Sequence, residues 1–157
     1  MEYDGSVCSV ARTAAVLSDT WTVLVLRDVR HGVRRFDDLT AHLGIARNVL
    51  TRRLATLVDA GILDRVPYRE AGSRLRHEYV LTQAGQDLVP VIIAMMGWGD
   101  RYRADPDGPP MRVEHAECGS PVHVELRCTD GHRIDPQEGL RTTPGPGARR
   151  TPTGGCS

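Results

Sequence analysis

Apolar residues recur at helical spacing through the first hundred positions, and glycines or an extended piece punctuate them. Val10, Ala11, Ala14 and Leu17 predict a helix over residues 8–17. Ser18 or Asp19 can cap a second helix over 20–30, whose stripe is Trp21, Leu24 and Val25; Gly32 ends it. Val33-Arg34-Arg35-Phe36 reads as extended, Asp37 opens a third helix with Leu39 and Leu43 inward, and Gly44 breaks the chain. A fourth helix over 46–60 places Leu50, Leu54, Leu57 and Val58 at offsets 0, 4, 7 and 8, which is one buried face. After Gly61 the period changes. Residues 63–66 and 78–81 alternate like strands and bracket a polar tip over 69–76, a hairpin. Helical spacing returns over 82–103, with a kink or restart expected at Pro90.

The rest of the chain is built differently. Residues 104–111 read as a linker, Ala-Asp-Pro-Asp-Gly-Pro-Pro-Met. Val122, Val124, Leu126 and Cys128 alternate within 113–134 and predict a small β-hairpin. Residues 141–157 are rich in Gly, Pro and Thr and read as disordered. The expected fold is mainly α with a small β-wing, a winged helix-turn-helix carrying a small C-terminal β-hairpin appendage. Its divisions are 1–103 for the winged domain, 104–111 for the linker, 112–140 for the appendage and 141–157 for the tail.

A formal net charge of zero conceals a strong asymmetry. Residues 27–76 hold eleven Arg against six acids, a net +5, while 1–26 carry −2 and 77–157 carry −3. A local basic block in a neutral chain suits a phosphate-binding surface, although a solvated basic face would look the same in a count. All twenty basic residues are Arg; GC-rich coding explains that, so placement matters more than abundance. Met1–Gly5 is acidic and no long apolar run follows it, and no stretch is long enough to span a membrane. A cytoplasmic protein with reduced cysteines is expected.

Placement favours DNA. The leucine face of the fourth helix leaves Arg47, Asn48, Thr51, Arg52 and Ala55 outside, with Arg53 beside them. Arg can pair with guanine O6 and N7, and Asn with adenine N6 and N7. Thr51 suits a phosphate or a thymine methyl. Arg69, Arg74 and Arg76 sit around the Ala71-Gly72-Ser73 tip, where a wing can follow a phosphate backbone or place an Arg in the minor groove. A helix-turn-helix followed by a basic wing makes double-stranded DNA the expected partner. The alternative is a winged-helix protein-interaction module that does not bind DNA, which would suit an acidic or apolar outer face better than this basic one. No elbow, triad or metal-catalytic motif appears, so no enzyme is expected.

The segments Trp21–Asp28, Arg35–Leu39, Gly44–Leu54, Gly61-Ile62-Leu63, Tyr79–Thr82 and Trp98-Gly99 resemble the HxlR-type winged-helix transcriptional regulators, relatives of the MarR type. The resemblance implies a homodimer, binding at a palindromic operator and control of neighbouring genes. It also implies a backbone-phosphate contact for Arg35. Many members carry Ser where this chain has Ala46, so the side-chain cap of the recognition helix is lost here, at about 1 kcal/mol, and Asn48 or a backbone contact can compensate. Cys8 stands where thiol-sensing members carry their reactive cysteine, ahead of helix one with Arg12 one turn on. It is the candidate redox sensor for an electrophile or other small-molecule effector, or else a small hydrophobe packed in a dimer interface. The fifth helix has two apolar stripes, Leu88, Ile92, Met95 and Val89, Ile93, Met96. One can serve the chain's own core and the other a partner, so helix five with helix one is the expected dimer surface.

His115-x2-Cys118 and Cys128-x3-His132, nine residues apart, have the ligand types and pairing of a tetrahedral zinc site. Free thiols on a small sheet, or a Cys118–Cys128 disulfide under oxidation, are the competing readings. No cofactor is required for DNA binding; zinc in the appendage is the candidate.

Overall fold

The computed structural model describes residues 8–69, 72, 74–137 and 139–149. Glu70, Ala71 and Ser73 of the expected wing tip lie outside these, as do Cys156 and the rest of 150–157 in the expected disordered tail. The elements are α1 (Ser9–Leu17), α2 (Thr20–Arg30), α3 (Phe36–Leu43), α4 (Arg47–Asp59), β1 (Leu63–Tyr68), β2 (Arg76–Leu81), α5 (Gln83–Asp87) and α6 (Val89–Tyr102). They divide between two compact units, Met1–Val80 with Arg141–Ser157, and Leu81–Leu140. Compactness thus groups α5 and α6 with residues 104–140, whereas the sequence pattern groups them with residues 1–103.

In the first unit α4 packs on α2, α3 and β1, and α2 also meets α1 and α3. The core is Val25, Leu26 and Val29 of α2, Leu39 of α3, Leu50, Leu54 and Leu57 of α4, with Ile45, Ile62 and Leu63 closing its edges. Asp19 begins α2 as its spacing predicts, its Oδ1 accepting the backbone N–H of Trp21 at 3.0 Å and of Thr22 at 3.3 Å. Helix α3 starts one residue before the expected Asp37, with Arg35 at the N-cap; Asp37 and Asp38 lie in its first turn, where the helix dipole favours acids. Gly44 ends α3 at φ 62°, a left-handed conformation that costs glycine little.

Asp28 is fully buried, and an isolated charge there would be costly. Two neighbours answer it: the Arg27 guanidinium donates to Oδ1 at 2.8 Å, and His42 Nδ1 lies 2.6 Å from Oδ2. The second contact ties α2 to α3 and so fixes the helix that precedes the turn. Strands β1 and β2 form a two-stranded sheet that reaches two residues closer to the tip at each side than the alternation predicts. An antiparallel bridge between Arg35 and Glu78, with the Tyr79 N–H donating to the Arg34 carbonyl at 2.9 Å, adds the expected extended piece beside β2.

In the second unit the chain restarts rather than kinks: α5 ends at Asp87 and α6 begins at Val89, with Pro90 in its first turn. Proline has no N–H to donate and its ring clashes with the carbonyl four residues back, so it is tolerated there and not in mid-helix. No residue of α6 is fully buried: Val89, Ile92, Ile93 and Met96 are half-buried, while Val91 and Met95 are exposed. Residues 112–140 also differ from the expected hairpin. They form two small loops, closed by isolated bridges between Glu114 and Pro121 and between Arg127 and Arg133. Pro121 and two glycines at positive φ, Gly119 and Gly131, turn the backbone too often for a continuous ladder.

The leucine face of α4 predicts a sharp stability cost. Leu54→Ala should lower the unfolding free energy by about 2–5 kcal/mol, measured by urea denaturation followed by circular dichroism. A loss below 1 kcal/mol would show that the site collapses around the smaller side chain and that the face is not a tight seam.

Candidate DNA-binding surface

Helix α4 presents the expected residues, but it holds them in specific ways. Ala46 provides no side-chain cap. The Val49 N–H instead donates to both Asn48 Oδ1 and the Ala46 carbonyl, each at 2.9 Å, so the side-chain and the backbone contact are both present. The Asn48 contact uses one lone pair of the oxygen that adenine N6 would need and leaves the other open. Thr51 Oγ1 donates to the Arg47 carbonyl at 2.9 Å and stays exposed. Arg52 is exposed.

Arg53 departs from the expected set. Its Nη2 lies 2.8 Å from Asp19 Oδ2, and the side chain is less than a third exposed. Its place beside the Leu50–Leu54–Leu57 face turns it towards the N-cap of α2. Arg53 therefore braces the recognition helix against α2 and does not project with Arg47 and Arg52.

Arg47 is exposed but restrained. Its Nη1 donates to Asp37 Oδ1 at 2.8 Å, and its guanidinium sits 4.6 Å from the centre of the Phe36 ring. Arg76 of β2 approaches the other oxygen of the same carboxylate at 3.8 Å. Asp37 thus stands between the recognition helix and the wing. The hydrogen bond from Arg47 is the main reason its carboxyl lies below the usual 3.8, opposed by some desolvation and aided by the charges of Arg47 and Arg76. For a carboxyl lowered in this way the ion pair is complete at neutral pH and is lost only as pH falls through that lowered value.

Around Asp37 opens a cleft of about 600 Å³. Among the described residues five arginines line it: Arg35 from the α3 N-cap, Arg47 from α4, Arg65 from β1, Arg74 before β2 and Arg76 within β2. Asp37 and Asp38 are the acids among the described residues of its lining, which is strongly basic. The Arg35 guanidinium lies over the Tyr68 ring, 4.5 Å from its centre, which holds it against β1. Arg65 Nη2 lies 3.0 Å from His77 Nδ1, across the stalk of the wing. Arg69 is exposed just past β1.

Arg65, Tyr68, His77 and Asp37 were not among the DNA-binding candidates of the sequence pattern, in which Asp37 figured only as the start of the third helix. Once the strands extend to Tyr68 and Arg76, Arg65 falls on the stalk of a basic wing, and longer strands would have placed it there. Asp37 gives no local signal, because its partners lie ten and thirty-nine positions away.

The other sequence candidates separate. Cys8 is exposed at the N-cap of α1, its carbonyl accepting the Arg12 N–H at 3.0 Å. His115 and Cys118 form one pair, Nδ1 to Sγ 3.3 Å, with hydrogen bonds from the Ser120 side chain and backbone holding the Cys118 thiol below its ordinary value. Cys128 and His132 form a second group, together with Asp130. The four expected ligands are therefore not gathered around one point, because each lies in a loop closed on itself.

Comparison with known proteins agrees with this geometry. Residues 16–107 match the HxlR-like helix-turn-helix family. A relative from Mycobacterium tuberculosis, described as an uncharacterised HTH-type transcriptional regulator, is 42% identical over 139 residues, covering 88% of this chain and 87% of its own. The crystal structure of PA1607, described as a candidate transcription factor, superposes with a TM-score of 0.78 at 35% identity, over 87% of this chain and 94% of that one. The redox regulator HypR in its reduced form aligns over 60% of this chain and 92% of its own, with a TM-score of 0.54 and 28% identity. With α3, the Gly44 turn, α4 and a basic hairpin in order, this chain belongs to the HxlR-like helix-turn-helix family.

Proposed function

We propose that the chain is a DNA-binding transcriptional regulator that acts as a homodimer on a palindromic operator. The observation that carries this reading is the basic cleft, onto which α4 and the wing both open through Arg47, Arg65, Arg74 and Arg76. The N-terminal half of α4 enters the major groove and reads base edges with Asn48 and Arg52, while Arg35, Arg69 and the wing arginines hold phosphates. Asp37 occupies the place of an anion between Arg47 and Arg76, and a backbone phosphate competes with it for both guanidinium groups.

The dimer reading rests on two surfaces, each taken by itself. Helix α6 buries none of its residues and exposes Val91, Met95, Trp98 and Tyr102, the last two with ring centres 5.4 Å apart. Helix α1 also buries none and shows an apolar strip of Val10, Ala14 and Leu17. Large exposed apolar faces on a small protein mark association surfaces. A second copy of the chain is the proposed occupant of these faces; among the described residues no helix is long and apolar enough to cross a membrane. Cys8, exposed at the start of α1, is the thiol through which an oxidant or electrophile reaches that surface.

Binding titrations against the promoter of the protein's own gene test the DNA reading. Arg52→Ala should cost about 1–3 kcal/mol on the operator and relax specificity at one position. Arg74→Ala should weaken binding to all sequences and reduce the salt slope by about one. Asp37→Asn should tighten binding to any duplex at low salt, since it removes the competing carboxylate. Wild-type protein with no salt-sensitive binding to any DNA would leave the protein-interaction module as the correct reading.

Sedimentation tests the dimer. Wild type should be a dimer at micromolar concentration, and Met95→Asp, at an exposed position that folding does not require, should be monomeric with much weaker operator binding. A monomeric wild type would refute the assembly. Redox sensing has its own readout: treatment with a thiol oxidant should release wild type from DNA and leave Cys8→Ser bound. Equal release of both would remove Cys8 from the mechanism.

A further inference from the structure

Residues 112–140 pose a stability problem. Among the described residues they hold two isolated bridges and no regular strand, and Val122, Val124, Leu126 and Leu140 are exposed. A segment that buries so little apolar surface lacks the usual source of folding free energy, and small units of this kind are commonly held by a metal or a disulfide. The loop over 128–132, Cys-Thr-Asp-Gly-His, has the means for the first.

Its backbone is closed on itself. The Cys128 N–H donates to the His132 carbonyl at 3.1 Å, the Gly131 N–H donates to the Cys128 carbonyl at 2.9 Å, and the Ile134 N–H donates to the Leu126 carbonyl at 2.9 Å. Gly131 turns the chain at φ 83°, a conformation that a side chain would strain. This closure gathers one ligand atom each from Cys128, Asp130 and His132 so that all lie within 4.8 Å of one another. Flanking charge does not oppose a cation as strongly as the sequence suggests. Arg127 and Arg133 both pair with Glu125, at 3.0 and 3.4 Å, and Arg127 also donates to the Gly131 carbonyl at 3.1 Å, which pins the loop.

We propose that Cys128, Asp130 and His132 form a binding site for a divalent zinc-like cation, with the fourth position open to water. Thiolate sulfur, carboxylate oxygen and imidazole nitrogen together suit zinc or cobalt and disfavour calcium and magnesium, which take oxygen ligands. A tetrahedral ion with Zn–S near 2.3 Å and Zn–N or Zn–O near ~2.0–2.2 Å draws the ligand atoms to roughly 3.3–3.6 Å apart. Asp130 and His132 are exposed and Cys128 half-buried, so the side chains can close that gap without moving the core of either unit. Cys128 binds as thiolate, its proton passing to solvent. The His115–Cys118 pair is no part of this site. Asp130, which lies between the two residues that the ligand spacing singles out, replaces it.

Cobalt(II) chloride titrated into the metal-free, reduced full-length protein tests this. Wild type should take up one cobalt per chain with visible absorption of tetrahedral type and a sulfur-to-cobalt charge-transfer band in the near ultraviolet. Cys128→Ser should abolish the charge-transfer band. Asp130→Asn and His132→Ala should each weaken uptake by at least the ~10–100-fold that loss of even an outer-shell partner costs a metal site. His115→Ala and Cys118→Ser should bind as wild type does. Circular dichroism of each variant should match wild type, since the loop lies outside the helices. Wild-type affinity in Asp130→Asn, or equal losses in the His115 and Cys118 variants, would overturn this ligand set in favour of the four-residue Cys/His site. No cobalt uptake by wild type would overturn metal binding by the loop altogether.

Discussion

The seam along α4, where Leu50, Leu54 and Leu57 are fully buried, controls the geometry of everything that faces outward from the first unit. A helix held by one apolar stripe has its rotation about its own axis set by that stripe. Once these leucines join Val25, Leu26 and Val29 of α2 in the core, Arg47, Asn48, Thr51 and Arg52 can only point to solvent. Arg53, at the edge of the stripe, must lie along α2 and finds Asp19. A large-to-small change in the stripe therefore disturbs stability and the aim of the recognition helix together.

A second constraint acts through charge. Asp28 couples α2 to α3 through His42, and Asp37 couples the start of α3 to α4 and to the wing through Arg47 and Arg76. The two acids differ in setting. Asp28 is buried, where its partners must stay for the charge to be tolerated. Asp37 is exposed, where water screens the pair and its arginines can be given up to another anion at little cost. The first is built for rigidity and the second for exchange, which is the division a DNA-binding surface needs: a fixed helix and releasable guanidinium groups.

The second unit has a different economy. Neither α6 nor the loops over 112–140 bury apolar side chains fully within the described residues. Order there has to come from something other than a core within the unit. An apolar helix face and a loop converging thiol, carboxylate and imidazole are two chemically distinct means of supplying it.

Much of this was legible along the chain, because it depends on local rules. The helices over 8–60 follow from apolar spacing, the start of α2 from the capping geometry of Asp19, and the end of α3 from the left-handed freedom of Gly44. The outward face of α4 follows from its leucines, and the basic hairpin from alternation and charge. Family membership was readable in the same segments. What tertiary structure decided depends on partners far apart in sequence. No periodicity announces that Asp37 holds Arg47 and Arg76, that Arg53 turns to Asp19, or that Arg65 joins the cleft. In the appendage, the spacing of Cys and His counts positions but cannot say which loop closes on itself. The hydrogen bonds from Cys128 to His132 and from Gly131 to Cys128 bring Asp130 in beside them, while His115 and Cys118 stay in a loop of their own. Local sequence sets which residues a segment can present, and only the folded backbone sets which of them meet.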